Sequence, residues 1–342
     1  MTRAAMIMAG APHGGAETFF VRLCAALAGA GEEVLAVIRR DAERAAALRR
    51  AGLDPVQLGF GGPLDLLTRP RLARALARFA PRVAMAWMNR AARFTPPGPW
   101  VRVGRLGGYY DLRYYAGFDH LVGNTRGIVA WIAHQGWPRA RVHHLPNFAP
   151  DLAGAAPADR AALDVPADAF LVLGMGRLHP NKGFDVLIEA AAHLPDVVVA
   201  IAGEGGERGA LAALAERLGV AERIRFLGWR DDQAALLAAC DLFVCPSRHE
   251  PLGNVVLEAW SAARPVVACA AVGPSELIEH GVTGLLVPVD DPRALADAIA
   301  ALRDEGLRAR ALAEAGRAVF LRDHAEAPVL ARWRAFLAEV GR

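Results

Sequence analysis

Two glutamates in the second half of the chain have a spacing suited to one shared ligand. Glu250 and Glu258 flank a Pro-Leu-Gly-Asn turn and an apolar run in HEPLGNVVLEAW, residues 249–260. A helix start near Gly253 or Asn254 is predicted just after an apolar strand. The two carboxylates are either solvated charges at that helix start or side chains directed at a ligand.

The predicted helix start favours an anionic ligand. The amides of Gly253, Asn254 and Val255 would be first-turn donors, which have no acceptor inside a helix and suit a phosphate. Glu258 follows Asn254 by one turn on the same helix face. A carboxylate there is unfavourable for phosphate but suits the hydroxyls of a neighbouring ribose, whereas Glu250 would project from another side of the same cleft.

Two cations in another loop fit the same ligand. Arg177 and Lys182 lie in GMGRLHPNKG, residues 174–183, between an apolar strand and a strongly periodic helix. An arginine fork and a lysine ammonium can bind one diphosphate together. The alternative is a pair of solvated loop cations.

Regular alternation of strands and helices would position these loops. Short apolar runs at thirteen places predict strands, and Ala/Leu/Arg segments of helical period separate them. The strands are expected at residues 4–10, 33–38, 55–60, 82–88, 100–106, 120–125, 141–147, 170–176, 197–204, 224–229, 242–247, 265–270 and 284–288. Continuously apolar strands joined by helices predict α/β architecture with parallel sheets covered on both faces, which bind ligands beyond the carboxyl ends of their strands.

A Pro/Ala/Asp-rich segment at 147–170 is the best linker candidate. We therefore expect two doubly wound, Rossmann-like domains facing a central cleft, at residues 1–150 and 151–322. An amphipathic helix at 323–342 is expected to pack back towards the first domain.

Two other glycine loops fit known nucleotide motifs poorly. In MAGAPHGGAE, residues 8–17, Ala16 and Glu17 replace the Lys and Ser/Thr of a P-loop, which leaves Gly14 and Gly15 either as an anion site at a helix start or as a tight turn. In AGEGGERG, residues 202–209, Arg208 replaces the third glycine of a dinucleotide fingerprint. An NAD-dependent oxidoreductase is therefore disfavoured.

Composition bounds the remaining classes. Of 342 residues, 54% are hydrophobic and 22% charged, which supports sizeable cores. The four cysteines form no zinc pattern, Cys240 and Cys245 are expected in the core, and no apolar run is long enough for a membrane span. A cytoplasmic location is expected.

The first 150 residues have 20 Lys and Arg against 9 Asp and Glu, so this half either has an Arg-rich surface or faces an anionic acceptor or membrane. Nucleic acid is not expected as a partner.

Together, these motifs resemble the retaining family-4 glycosyltransferases, known as glycosyl transferases group 1, of GT-B fold. GRLHPNKG, AGEG, FLGW, CDLFVCPS, EPLGNVVLE and PVVACAAVGPSELIEHGVTGLLVPVDDP occur in the family's order over about residues 170–300. GGAE matches more weakly. The resemblance implies a nucleotide-sugar donor, UDP- or GDP-linked, on the second domain and a glycan or lipid-linked acceptor on the first.

Family roles can be carried over residue by residue. Arg177 and Lys182 would bind the diphosphate, with amides from Asn254 and Val255 and a close approach at Gly253. Glu258 would bind the ribose, and Glu250 would be the catalytic group beside the transferred sugar. Gly15, with Gly14, would close on the diphosphate from the first domain. Metal-dependent glycosyltransferases use an Asp-x-Asp pair, which the sequence lacks, so neither a metal nor another cofactor is expected.

One departure concerns the acceptor side. Many relatives have a histidine where this chain has Gly107 and Gly108, within RLGGYYDLRYY. Asp111 is a candidate substitute by proximity, and Tyr109 could stack on a sugar or belong to the surface.

The sequence thus predicts a metal-independent, retaining hexosyltransferase-like enzyme of lipopolysaccharide or other cell-surface polysaccharide synthesis, with a peripheral place on the inner membrane face as a further expectation. A nucleotide-sugar epimerase of the same fold and a non-catalytic nucleotide-sugar-binding protein remain alternatives.

Overall fold

The computed structural model describes residues 1–11, 14–62 and 64–342. Its described residues form thirteen strands in two parallel sheets. They are β1 Arg3–Met8, β2 Glu33–Arg39, β3 Val56–Leu58, β4 Val83–Trp87, β5 Val101–Leu106, β6 His120–Gly123, β7 Val142–His144, β8 Phe170–Met175, β9 Val197–Ala202, β10 Ile224–Gly228, β11 Leu242–Cys245, β12 Val266–Cys269 and β13 Leu285–Val287. Each lies within or overlaps a strand predicted from the apolar runs.

Both sheets are doubly wound. The first has the order β3-β2-β1-β4-β5-β6-β7 and the second has the order β10-β9-β8-β11-β12-β13. In each, the chain starts in the middle, runs to one edge and returns to build the other. The expected pair of doubly wound parallel sheets is therefore confirmed.

Helices cover the sheets because the strands are apolar on both faces. Every residue of β4, β9, β11 and β12 is buried, so each sheet must be covered on two sides. The helices in the described residues are α1 Gly15–Gly29, α2 Ala42–Arg50, α3 Thr68–Phe79, α4 Met88–Phe94, α5 Arg126–His134, α6 Phe184–Ala191, α7 Arg208–Arg217, α8 Gln233–Ala239, α9 Asn254–Ser261, α10 Val272–Leu277, α11 Pro292–Asp304, α12 Gly306–Val319 and α13 Glu326–Val340.

The chain divides into two compact units. Unit 1 comprises Met1–Phe148 with Glu326–Arg342, and unit 2 comprises Ala149–Ala325. In the Pro/Ala/Asp-rich segment, Leu163 and Val165 are buried in the core of unit 2.

The last helix, α13, completes the core of unit 1. Its buried residues pack into the cluster that also contains α1 and the first sheet: Val329, Trp333, Phe336 and Leu337. The Trp333 indole N–H donates to the carbonyl oxygen of Pro146 at 3.4 Å, and Arg334 pairs with the nearly buried carboxylate of Glu32 at 2.8 Å. The carboxyl-terminal segment is thus part of the first folding unit.

All four cysteines are buried and free, which confirms the burial predicted for Cys240 and Cys245. Burial raises the pKa of the Cys240 thiol to about 12 and that of Cys245 to about 11, so both thiols remain protonated near neutral pH. Across the described parts of the chain, none of the helices has the length and apolarity needed to cross a membrane.

Removing the Trp333 side chain should destabilise unit 1. Trp333→Ala leaves a cavity at a fully buried position, so we expect the free energy of unfolding to fall by about 3–5 kcal/mol, measured by urea titration. Trp229 is 60% exposed, and Trp229→Ala is the matched control, expected to change stability by less than about 1 kcal/mol. Equal effects of the two substitutions would contradict this role of α13.

Candidate active site

The loop that follows β8 carries Arg177 and is shaped by close backbone approaches. A Cβ at Gly203 would overlap the carbonyl oxygen of Gly176, and one at Gly205 would overlap that of Leu178. Leu178 also donates its N–H to the Glu204 carbonyl at 2.9 Å. The glycines of AGEGG therefore let the loop after β9 pack on the loop after β8, which leaves Arg177 exposed at the carboxyl edge of the sheet.

Lys182 ends a short 3-10 helix, Pro180–Lys182, at the same sheet edge. The His179 ring caps this helix by accepting the Asn181 N–H at 3.2 Å. Gly183 then adopts a left-handed conformation with φ 64°, and a Cβ there would overlap the Pro246 carbonyl oxygen. Glycine at this position thus brings the lysine loop against the loop that follows β11.

Arg248 fastens these two loops together. Its guanidinium donates to both carboxylate oxygens of Asp185, at 2.8 and 2.6 Å, and to the Pro180 carbonyl at 2.9 Å. Its own N–H donates to Asn181 O at 2.9 Å. The hydrogen bonds with Asp185 raise the pKa of Arg248. Sequence analysis missed this residue although it stands just before His249 in the motif, because its partners lie far away in the chain.

The two loops bring Lys182 and Glu250 into direct contact. The Lys182 ammonium donates to Glu250 Oε2, and the side chains are 25% and 13% exposed. A Cβ at Gly176 would lie 3.5 Å from Lys182 Cε, so the lysine stem lies beside the residue that precedes Arg177. The prediction gave Lys182 and Glu250 separate tasks; the structure shows that they form an ion pair.

The start of α9 lies beside Glu250. Gly253 precedes the helix with φ 93° and supplies no side-chain cap, and a Cβ on it would lie 3.8 Å from Glu250 Cγ. Asn254 and Val255 occupy the first turn, where helix N–H groups have no acceptor within the helix. Glu258 is half-buried one turn further along. The glutamate side chains thus stand at the start and on the second turn of one helix.

The site residues predicted in unit 1 belong to a different sheet. Gly14 precedes α1, and a Cβ on it would overlap the carboxylate of Glu17. This carboxylate turns back and accepts the Ala11 N–H at 2.9 Å. Gly15 is the first residue of the helix. Pro12 and His13 of the same loop lie outside the described residues.

The two acceptor-side candidates have local partners. Asp111 accepts the Arg113 N–H at 3.0 Å and pairs with the Arg113 guanidinium at 2.8 Å. Tyr109 is 43% exposed and meets the edge of Trp131 with ring centroids 5.4 Å apart. Asp111 therefore caps a turn, and Tyr109 remains partly accessible.

Another signal in the sequence marks Lys182. It is the single lysine among 39 basic residues, all the others being arginine. A chain that otherwise uses arginine has a compact ammonium at this position, which suits a small point-charge site better than a planar fork. Within the described residues, no group of three or more His, Cys, Asp or Glu side chains is arranged to hold a metal ion.

Comparison with known proteins gives the relatives of this chain. The family model of glycosyl transferases group 1 matches residues 169–305. The lipopolysaccharide core biosynthesis glycosyltransferases LpsE and LpsD of Rhizobium meliloti (strain 1021) are similar over most of the chain. LpsE is 42% identical over 313 residues, covering 89% of each chain, and LpsD is 39% identical over 301 residues, covering 86% of each.

A solved structure shares the fold of the whole chain. Anabaena HepE in complex with UDP superposes with a TM-score of 0.87 at 23% identity, covering 98% of this chain and 100% of its own. At this identity the likeness concerns the fold, which is the expected GT-B arrangement of two Rossmann-like domains. The extent of identity to LpsE and LpsD, together with the match over most of unit 2, shows that this chain belongs to the group 1 glycosyltransferases.

Proposed function

We propose that the chain is a retaining, metal-independent glycosyltransferase that moves a sugar from a UDP- or GDP-sugar to a glycan or lipid-linked acceptor in lipopolysaccharide core synthesis. The observation that carries the donor half of this proposal is the meeting of Lys182, Glu250 and the start of α9 at the carboxyl edge of the second sheet. Ligands of doubly wound sheets bind at this edge.

The diphosphate would lie between the lysine loop and α9. Lys182 and Arg177 supply positive charge, and the first-turn amides of Asn254 and Val255 supply fixed donors. Glu258, one turn along, would accept hydrogen bonds from the ribose hydroxyls. The ion pair with Glu250 holds the Lys182 ammonium at this edge of the sheet, where it can meet a diphosphate.

Charge changes in the reaction fit these groups. The bond between the anomeric carbon and the diphosphate oxygen breaks, and the acceptor oxygen bonds to the same face of that carbon. The proton of the acceptor hydroxyl passes to the leaving phosphate oxygen, so no separate base is needed. Lys182, Arg177 and the helix amides stabilise the negative charge on the leaving oxygen, and the Glu250 carboxylate stabilises the positive charge at carbon. These fixed charges do the work that a metal ion does elsewhere.

Relatives support the ligand classes. LpsE and LpsD are named for lipopolysaccharide core biosynthesis, and HepE structures contain UDP or UDP-glucose. We place the donor on unit 2 and the acceptor on unit 1, with Gly14 and Gly15 as further donor contacts and Asp111 and Tyr109 as acceptor-side residues.

A basic surface on unit 1 supports the proposal that the enzyme acts at the cytoplasmic face of the membrane. Helix α3 buries Leu72 and Leu76 and exposes four arginines, Arg69, Arg71, Arg74 and Arg78. The preceding loop exposes three leucines: Leu64 at 93%, Leu66 at 81% and Leu67 at 60%. Arginines beside exposed apolar side chains fit an anionic bilayer, which offers both phosphate groups and acyl chains.

Lys182→Ala should weaken donor binding. Losing a charge-assisted contact costs about 1.5–3 kcal/mol, so we expect the Kd of UDP-glucose or another accepted donor to rise about 10- to 100-fold by calorimetry. The accepted donor is first found by thermal shift, since a donor at about 100 times its Kd adds about 2.7 kcal/mol of stability. Arg310→Ala, at an exposed residue of α12, is the control. Wild-type affinity in Lys182→Ala would remove Lys182 from the site.

Glu250→Gln should separate binding from turnover. The amide keeps the shape and its oxygen can still accept the Lys182 hydrogen bond, but the charge is lost. We therefore expect kcat to fall about 100-fold or more while the donor Kd stays within about threefold. Exposed Glu279 gives the control, Glu279→Gln. Loss of donor affinity with unchanged kcat would make Glu250 a binding residue only.

Product analysis of the wild-type protein without added metal tests the two rival functions. Transfer to acceptor or release of free sugar supports a transferase. Recovery of an epimerised nucleotide sugar supports an epimerase, and unchanged donor after long incubation supports a binding protein.

Arg71→Gln/Arg74→Gln should weaken binding to vesicles containing phosphatidylglycerol. Each arginine near an anionic surface contributes about 1 kcal/mol, so we expect the partition coefficient in a sedimentation assay at low ionic strength to fall about 30-fold. Arg308→Gln/Arg310→Gln on α12 removes the same charge from unit 2 and should have little effect. A wild-type protein that does not bind these vesicles at low ionic strength does not use an anionic membrane surface.

A further inference from the structure

Arg105 is a buried cation at the carboxyl end of β5. Only 1% of its surface is exposed. Its guanidinium carbon lies 4.5 Å from the ring centre of Trp87, at the end of β4, and 5.6 Å from that of Phe19 on α1. Arg105 therefore stands where neighbouring strands of the first sheet end, at the edge that binds ligands in this architecture.

Within the described part of the chain, no ion pair balances the charge of Arg105. Its Nη2 donates to Asn147 Oδ1, just after β7, at 2.6 Å. Among the described residues no carboxylate forms a salt bridge with it, and its buried Nε has no hydrogen-bond partner. Burial lowers the pKa of Arg105 to about 10, so the guanidinium still carries its charge near neutral pH. Glu17 raises the pKa of Arg105 by electrostatic interaction, without a hydrogen bond between them among the described residues.

Glycine at position 107 keeps the space beside this cation free of a side chain. A Cβ there would lie 2.8 Å from Arg105 Nη1, so any side chain on Gly107 would take the space beside the guanidinium. Gly107 itself is partly exposed. Many relatives have a histidine in this region. Here glycine leaves no side chain of residue 107 between Arg105 Nη1 and the surface.

A second unsatisfied group lies on the adjacent strand end. The register pairs Leu106 with Gly123, and Asn124 donates its N–H to the Leu106 carbonyl at 3.3 Å. The Asn124 side chain is 4% exposed, and its Oδ1 has no hydrogen-bond partner among the described residues. The strand next to that of Arg105 therefore ends in a buried acceptor, which suits a hydroxyl group.

Burial of an unbalanced charge and an unpaired amide oxygen is unfavourable unless a ligand balances the charge and forms a hydrogen bond with the oxygen. An arginine fork matches the two oxygens of a carboxylate or phosphate. We propose that Arg105, oriented by Asn147, binds an oxyanion of the acceptor, a phosphate or a carboxylate, while Asn124 accepts a hydroxyl of the same acidic sugar. This inference rests on the proposed placement of the acceptor on unit 1.

Direct anion binding can be measured without transferase activity. In protein labelled with ¹⁵N-arginine, the Nε–Hε signal of Arg105 is identified by its loss in Arg105→Lys. We expect a saturable shift of this signal with inorganic phosphate or with acetate, and no shift with chloride at equal ionic strength. The responding anion tells phosphate from carboxylate. An Arg105 signal that responds to neither anion overturns the proposal, whatever the enzyme activity.

Acceptor kinetics test the role in transfer. The acceptor in this assay is lipopolysaccharide from cells that do not make this protein. The lipopolysaccharide is used intact, dephosphorylated or carboxyl-reduced. Arg105→Gln should raise the KM for the intact acceptor about 10-fold or more with the donor KM within about twofold, and the difference from wild type should vanish once the recognised acid is removed. Arg102→Gln removes an arginine from the other end of β5 and is the control.

Gly107→Ala tests the same site without removing the buried arginine. Its methyl group would fill the space beside Nη1, so the acceptor KM should rise and the anion-induced shift should weaken, while the free energy of unfolding changes less than in Arg105→Gln. An unchanged acceptor KM in both variants would assign Arg105 to the core alone. If the wild type transfers no sugar, the proposed function fails, and the anion titration still decides the site.

Discussion

The contact of two strand-end loops in unit 2 is the constraint on which the proposed donor site depends. The backbone at Gly183 lies so close to the Pro246 carbonyl that no side chain fits between them, and the Arg248 guanidinium ties the same loops through Asp185 and Pro180. This contact puts Lys182 and Glu250 side by side although 67 residues separate them in the chain. A looser contact would leave two isolated charges on two flexible loops.

Much of the fold could be predicted because it follows from local patterns. Apolar runs separated by helical segments predicted each of the thirteen strands in the described residues, and their continuous apolarity indicated parallel sheets. The position of the proposed donor residues at the carboxyl edge of the second sheet could also be predicted, because this edge follows from strand direction. Strand-end positions such as Gly253 and Lys182 therefore carried a clear signal.

The contacts that sequence could not supply are those between distant loops. Nothing in the local sequence of Arg248 indicates that Asp185 is its partner, and nothing near Glu250 indicates the ion pair with Lys182. The burial of Arg105 could not be predicted for a different reason. The sequence of an apolar strand does not indicate whether an arginine in it is buried. Its burial depends on Trp87, Phe19 and Asn147 from three other parts of unit 1.

The return of α13 to unit 1 has a consequence for synthesis on the ribosome. The core of unit 1 needs residues from Met1–Phe148 and from α13, so its sheet cannot be fully covered until α13 has left the ribosome. All residues of unit 2 emerge before α13 does. The earliest strands to emerge therefore keep an apolar face that chaperones can bind until α13 packs on it.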